Sequence, residues 1–505
     1  MTEAGSAGNI GNWLTDNAER LPGRTALKPE DGDGWTYKEL DGWVDAIAVM
    51  LRAGHGVARG DRVAYLGLNH PAMVVLLFAC ARLGAVLVPL NWRLTAHELA
   101  YMVADCEPKV LYFDDAHEEN AEFAADAADN CILQSIQSLE AANVRPESTQ
   151  TGGALSDPVL IVYTSGTTGR PKGAILTQQA LLTNARNSIA LHRLTSDDRV
   201  LVVLPLFHVG GLNISLTPAL MAGAQVELHS RFEAAKTLAA IETFKPQILV
   251  LVPATMTAIM NSPAWNIADT SSLRMLTTGS MVVPVGLIAT FEVKGIPVVQ
   301  VYGSTETSPI AAYTRPGDGR TNPHTTGKAA VHTQVRIVDG EGEPYAEPNI
   351  AGEIEICGAN VMNGYWMQPE ETADAFNGDW HRTGDIGHLD EAGNLYFHER
   401  IKHVIMSGGE NIYPAEIERV ISAIPGVAEV AVCGIADEKW GEVPAAGIVL
   451  SSGAEEVSKD DIHQVLEAEL AHFKHPKVLS FLAELPRNAM GKVVHDELRS
   501  ALVGK

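Results

Sequence analysis

The stretch that most constrains the fold is Tyr163-Thr164-Ser165-Gly166-Thr167-Thr168-Gly169-Arg170-Pro171-Lys172-Gly173. It follows an apolar run, Val159 to Val162, that reads as a buried strand. Hydroxyls and glycines with little side-chain bulk come next, closed by Arg170, Pro171 and Lys172. Glycine lets backbone N–H groups close around an anion, while hydroxyls and a lysine add donors and a point charge. A loop behind a buried strand that grips a polyphosphate is therefore expected. The spacing is not the Walker A pattern, because Lys172 precedes Gly173 and no Ser or Thr follows to hold a metal. The plain alternative is a Ser/Thr/Gly linker, but linkers rarely sit directly behind a buried strand.

The rest of the chain fits an α/β frame. Ile10, Trp13, Leu14 and Ala18 have helical spacing, as do Leu40, Trp43, Val44, Ile47, Ala48 and Leu51. Ala72 to Gly84 is a nearly all-apolar helix, hence buried. Strands are predicted at Val63 to Leu66, Ala85 to Leu90, Lys109 to Phe113, Val200 to Leu204, Ala224 to Leu228, Ile248 to Val252, Met275 to Thr278 and Val298 to Val301. Several end in small or polar residues, such as Gly279 and Tyr302-Gly303, and strand C-termini are where α/β sheets place ligands. The polar, Ala-rich segment 114 to 156 reads as surface. From about 325 the texture changes to short strands and Gly-rich turns, and a separate small unit begins near 402. There Ser458 and Asp461 resemble a capping box before Ile462, Val465, Leu466 and Leu470.

Composition narrows the function. The chain has 505 residues, 46% of them hydrophobic, enough for more than one domain. A net charge of −25 repels nucleic acid, so any anionic ligand needs a locally basic site. Five scattered cysteines (Cys80, Cys106, Cys131, Cys357, Cys433) suggest neither a disulfide framework nor a metal pair, and a reducing cytoplasm is expected. No apolar run approaches the roughly 18 to 20 residues that span a bilayer, and no signal peptide is expected.

Further motifs carry chemistry. In Tyr302-Gly303-Ser304-Thr305-Glu306-Thr307 a ring can stack on a base, a hydroxyl can bond phosphate, and a carboxylate can hold Mg²⁺ beside phosphate oxygens. In Trp380-His381-Arg382-Thr383-Gly384-Asp385 a carboxylate after a tight turn can accept both hydroxyls of a ribose. Glu399-Arg400-Ile401-Lys402 precedes Ser407-Gly408-Gly409-Glu410-Asn411-Ile412-Tyr413-Pro414, and Pro486-Arg487-Asn488-Ala489-Met490-Gly491-Lys492 lies near the end. Singly, each has a plain reading as a turn, a solvated lysine or a packed histidine, as with His208 in Leu206-Phe207-His208-Val209-Gly210-Gly211.

Together and in this order they resemble the adenylate-forming (ANL) superfamily, in particular fatty-acid–CoA ligases and 4-coumarate–CoA ligases. The likeness covers nearly the whole chain, with Asn91-Trp92-Arg93-Leu94 extending it upstream. It implies a large N-terminal domain of helix-sandwiched sheets with a barrel-like subdomain, residues 1–400. A mobile α+β domain, 401–505, would carry the catalytic lysine. The resemblance assigns Thr164, Ser165, Gly166, Thr167, Thr168, Gly169, Lys172, Gly279 and Gly303 to ATP or AMP. Tyr302 would lie against adenine, Thr305 at the α-phosphate, Glu306 on Mg²⁺, Asp385 on ribose and Arg400 on ribose or phosphate. Lys402 takes the hinge position, where many members have Asp. Gly408 and Gly409 would line the CoA tunnel, since only glycine leaves room there. Lys492 would bridge carboxylate and α-phosphate, and His208 would stand at the acyl site, making Lys492, His208, Thr305 and Glu306 the catalytic set.

The implied reaction has two halves. A carboxylate attacks the α-phosphate of ATP, giving an acyl-adenylate and pyrophosphate. The small domain then turns about Lys402, and CoA takes the acyl group, releasing AMP. Lys474, His475, Lys477 and Arg487 are expected to attract the CoA phosphates. The acyl pocket is expected from Val209, Leu212, Met281, Pro309 and Ile310, which are apolar, so a fatty acid is expected, with a cinnamate-type acid as the alternative. Val301 stands where malonate-activating relatives have Arg, which disfavours a dicarboxylic acid. A luciferase-like oxygenase, a non-catalytic homologue and a P-loop phosphotransferase are the competing readings. A homodimer is left open.

Overall fold

The structure is a computed structural model and describes residues 9–140, 152–164, 170–280, 283, 285–318, 322, 324–400, 405–412, 414–451, 457–486 and 493–503; the side chains of residues 399, 400, 411 and 415 are outside that description.

Two sheets form the body of the large domain. The six-stranded sheet runs Ile132–Ser135, Val110–Phe113, Arg62–Leu66, Val86–Leu90, Pro158–Thr164, Lys172–Thr177. Its neighbours are parallel except the last pair, an antiparallel hairpin in which Thr164 faces Lys172. The nine-stranded sheet places Val298–Tyr302, Met275–Thr278, Ile248–Val250 and Arg199–Val202 side by side and parallel. Between the sheets lies the helix Pro71–Leu83, all of whose residues are buried. It shares one core with Leu27, Val200 and Val226 of the larger sheet and Val63, Leu87 and Leu160 of the smaller. A helix apolar on every side has no solvent face to offer, so only an interior position satisfies it.

A five-stranded antiparallel sheet, Thr333–Val338, Gly352–Gly358, Phe376–Asn377, Trp380–Leu389 and Leu395–Arg400, forms the expected subdomain. The small domain has a sheet of its own built on Val427–Asp437 and Gly441–Leu450, covered by the helices Pro414–Ser422 and Lys459–Glu469. The capping box forms as expected: Ser458 Oγ accepts from the Asp461 N–H, and the Asp461 carboxylate accepts from the Ser458 N–H at 2.9 Å. Among the described residues no helix is long and apolar enough to cross a membrane.

Two parts carry elements that the sequence reading does not predict. The segment expected as plain surface contains a helix, Glu118–Ala125, and an edge strand, Ile132–Ser135, paired with Val110–Phe113. That strand is half-buried and of mixed polarity, so its pairing partner rather than its own pattern makes it a strand. The helix Gln178–His192 is invisible to hydrophobic periodicity because much of its buried face is polar: Asn184, Asn187, Ser188 and His192 are fully buried.

Candidate active site

The four adjacent parallel strands named above deliver four segments to one edge of the sheet. Arg199–Val202 leads to Leu206–Gly211, Ile248–Val250 to Val252, Met275–Thr278 to Gly279, and Val298–Tyr302 to the loop ending at Ile310. The expected acyl-site residues Val209, Leu212, Pro309 and Ile310 are buried there. Met281 lies outside the described residues.

Three buried asparagines, to which the sequence reading gives no role, hold the Tyr302–Ile310 loop from beneath. Asn360 donates to the carbonyl of Thr307 at 2.8 Å. Asn184 accepts from the Ile310 N–H at 3.0 Å and donates to the Asn213 carbonyl at 2.7 Å. Asn187 donates to Thr333 Oγ1 at 3.0 Å and accepts from the His332 N–H at 3.0 Å. Asn187 and Asn360 also donate to the Ile310 carbonyl at 3.3 Å, so most of these amide bonds set backbone position, which fixes the loop more stiffly than apolar contacts would. Gly303 is what lets the loop close. Its φ is +153°, and a Cβ there would sit 1.7 Å from the Pro309 carbonyl oxygen. Gly303→Ala is therefore expected to cost about 3 kcal/mol and lower the melting midpoint by roughly 3 to 6 °C in calorimetry. An unchanged midpoint would show that the loop yields freely.

Tyr302 and Asp385 are brought together: the Tyr302 hydroxyl donates to Asp385 Oδ2 at 2.8 Å, both groups buried. Asp385 faces Arg400 in the adjoining strand ladder. The Arg400 side chain lies outside the described residues. Thr305 and Glu306 open a short 3-10 turn. The Glu306 carboxylate accepts from the Tyr365 hydroxyl at 3.0 Å. Burial works against its charge, but His381, the Ser304 hydroxyl, its own backbone N–H and Tyr365 outweigh burial and hold it below the usual carboxylate range. An ionised single carboxylate fits a Mg²⁺ ion that takes its other ligands from phosphate and water. Among the described residues no group of three or more His, Cys, Asp or Glu is placed to hold a metal.

Thr164 ends its strand with Oγ1 3.4 Å from the Lys172 carbonyl. Lys172 is buried and paired with Glu371, its ammonium 5.4 Å from the Tyr365 ring centre. A phosphate reaching Lys172 has to compete with Glu371. Ser165, Gly166, Thr167, Thr168 and Gly169, with Lys402 and Lys492, lie outside the described residues.

The small domain meets this edge through the turn between Ile405–Ser407 and Glu410–Ile412. Glu410 bonds His208 Nε2 at 3.2 Å and Arg93 at 2.5 Å, and the Arg93 guanidinium lies over the rings of Trp92 and Phe207. Burial opposes the charge on Glu410, yet His208 and Arg93 prevail and take its carboxyl down to about 2. The turn's own backbone already favours glycine at both Gly408 and Gly409. A Cβ at Gly409 would lie an ordinary 3.4 Å from Val252, whereas φ values of +58° and +89° are what a two-residue hairpin turn asks of these residues. At Gly408 space does count, for a Cβ would come within 2.6 Å of the Trp440 ring. One expectation needs correction, at Lys474. It is buried and bonded to Glu98 and Glu416, so it is not a surface charge awaiting CoA phosphates.

Residues 14–366 match the AMP-binding enzyme family and residues 416–492 match the AMP-binding enzyme C-terminal domain. The chain belongs to the AMP-binding enzyme family. This AMP-binding enzyme is 46% identical to an indoleacetate–CoA ligase from Aromatoleum aromaticum over 98% of each chain. It is 40% identical to a feruloyl-CoA synthase from Amycolatopsis sp., covering 97% of this chain and 98% of the relative. Among solved structures, a double mutant of o-succinylbenzoate CoA synthetase from Bacillus subtilis, bound with its product analogue, matches with a TM-score of 0.87 at 33% identity, over 97% of this chain and 98% of that one. The same synthetase in complex with its acyl-adenylate intermediate gives 0.71 at 32% identity over the same shares. The AMP-binding enzyme is an AMP-forming acyl-CoA synthetase that works through an acyl-adenylate, using ATP and CoA on a carboxylic acid.

Proposed function

We propose that this acyl-CoA synthetase activates an aryl-substituted carboxylic acid of the arylacetate or arylpropenoate kind in preference to a fatty acid. The observation that carries this is the 46% identity, along 98% of both chains, to a ligase named for indoleacetate. The feruloyl-CoA synthase at 40% supports it, whereas a long-chain-fatty-acid–CoA ligase from Mycobacterium tuberculosis stands at 35%. Buried, uncharged Val209, Leu212 and Ile310 at the strand ends suit a flat apolar tail.

Site roles follow the motifs. The 164–172 loop holds the polyphosphate, Tyr302 faces adenine, Thr305 bonds the α-phosphate, and Asp385 takes the ribose hydroxyls beside Arg400. Glu306 holds Mg²⁺, which when bound neutralises phosphate charge. His208 borders the acyl site and Lys492 serves adenylation. The chain divides at 400/401 with Lys402 as hinge. The Glu410–His208–Arg93 contact, and the higher TM-score against the product-analogue form, support a small domain oriented for CoA rather than for ATP.

The test is pyrophosphate release with ATP, Mg²⁺ and CoA over indoleacetate, phenylacetate, ferulate, octanoate and palmitate. The aryl acids are expected to give a kcat/KM at least about tenfold above the fatty acids, the discrimination a few apolar contacts supply. A preference for octanoate or palmitate would overturn the assignment.

A further inference from the structure

Lys474 lies in the small domain, in a short 3-10 turn, and is 4% exposed. Its ammonium bonds Glu98 Oε1 at 2.5 Å and Glu416 Oε1 at 2.8 Å. Glu416 sits in the first turn of Pro414–Ser422, within the same domain. Glu98 belongs to the large domain, in the first turn of Ala96–Cys106. Its other oxygen accepts from the Thr95 N–H at 2.9 Å and, across the domain boundary, from the Ala471 N–H at 2.9 Å. Ala471 is buried in a large-domain core cluster beside Leu94, Leu99 and Met102. One lysine thus joins two helix starts from two domains, a few residues from the Arg93–Glu410–His208 contact.

We propose that Lys474 is a positioning residue for the thiol-transfer half-reaction: held between Glu98 and Glu416, it fixes the small domain in the orientation that sets the Gly408–Glu410 turn against His208. The proposal rests on the two-orientation reading above. Glu98 stays with the large domain while Lys474 and Glu416 travel together, so any rotation of the small domain breaks the Glu98 arm and leaves the Glu416 arm intact. The clamp therefore acts in one orientation alone. It is also all-or-nothing. Without the ammonium, Glu98 and Glu416 face each other in a site closed to water, and an uncompensated buried charge costs far more than a complete set returns.

The two half-reactions are measured separately on the full-length enzyme with an acid that it activates. Adenylate formation is followed as a pyrophosphate burst without CoA. Thiol transfer is followed by rapid quench after adding saturating CoA to preformed enzyme-bound adenylate. Lys474→Met and Glu98→Gln are each expected to slow thiol transfer by about 30-fold or more while adenylate formation stays within about threefold of wild type. The double variant should be less impaired than the two single losses multiplied together. Equal losses in both half-reactions would mean a merely structural role and overturn the proposal. So would a Glu98→Gln enzyme with normal transfer beside a Lys474→Met enzyme with a raised CoA KM, which is the signature of a phosphate contact. A wild-type enzyme that makes no adenylate from any acid would instead overturn the functional reading beneath it.

Discussion

Lys492→Ala is expected to slow pyrophosphate release by roughly 10²- to 10³-fold, the usual loss when one donor to a developing transition-state charge is removed. Thiol transfer from a supplied acyl-adenylate is expected to stay within about threefold of wild type. The asymmetry is the point. In the first half-reaction negative charge grows on the α-phosphate as the carboxylate attacks, and a lysine poised there stabilises the transition state more than the ground state. In the second, the adenylate is already an activated anhydride and, in the proposed two-orientation cycle, the small domain presents another surface. Pro486 and Val494, which flank the 487–492 stretch, are joined by a Val494 N–H to Pro486 carbonyl bond of 3.0 Å. The helix His495–Val503 that follows is anchored in the small-domain core by Leu498 and Leu502. Both flanks of the 487–492 stretch thus belong to the domain whose Gly408–Glu410 turn faces His208. Single-turnover measurement of both steps decides the matter, and a parallel loss in both would remove Lys492 from its assigned role.

Asp385→Asn is expected to lower kcat/KM for ATP by roughly 10²- to 10⁴-fold, since two hydrogen bonds to a charged acceptor are worth about 1.5–3 kcal/mol each. Asparagine keeps the shape and can still accept from Tyr302, so the loss isolates the charge. The same experiment carries its own control. Wild-type enzyme given 2′-deoxy-ATP or 3′-deoxy-ATP should lose much of the same discrimination, while Asp385→Asn should be nearly indifferent to the missing hydroxyl. A variant that remains as sensitive as wild type to the deoxy substrates would place the ribose elsewhere. Asp385 is suited to the role because it is buried beside Tyr302 and opposite Arg400, on a strand rather than a mobile loop.

The parallel strands were legible because a doubly covered strand is a continuous apolar run, as in Val86–Leu90, every residue of which is buried. The Pro71–Leu83 helix was legible for the same reason. The Tyr302 and Asp385 motifs were legible as chemistry, and the structure unites them in one hydrogen bond that nothing in their separation of 83 positions foretells. The helix Gln178–His192 was not legible, because Asn184, Asn187, Ser188 and His192 are buried through hydrogen bonds, and a periodicity of apolar residues cannot register a polar interior.

Lys474 draws the line most sharply. Residue by residue the chain determined the order of its motifs and the strands that end at them, since these depend on local backbone chemistry and on runs of neighbouring side chains. It could not reveal that a lysine in an acidic protein would be buried between Glu98 and Glu416, 376 and 58 positions away. Desolvation and pairing are properties of a three-dimensional neighbourhood. Whether a charge is solvated, buried or shared between domains was decided only when the two domains met.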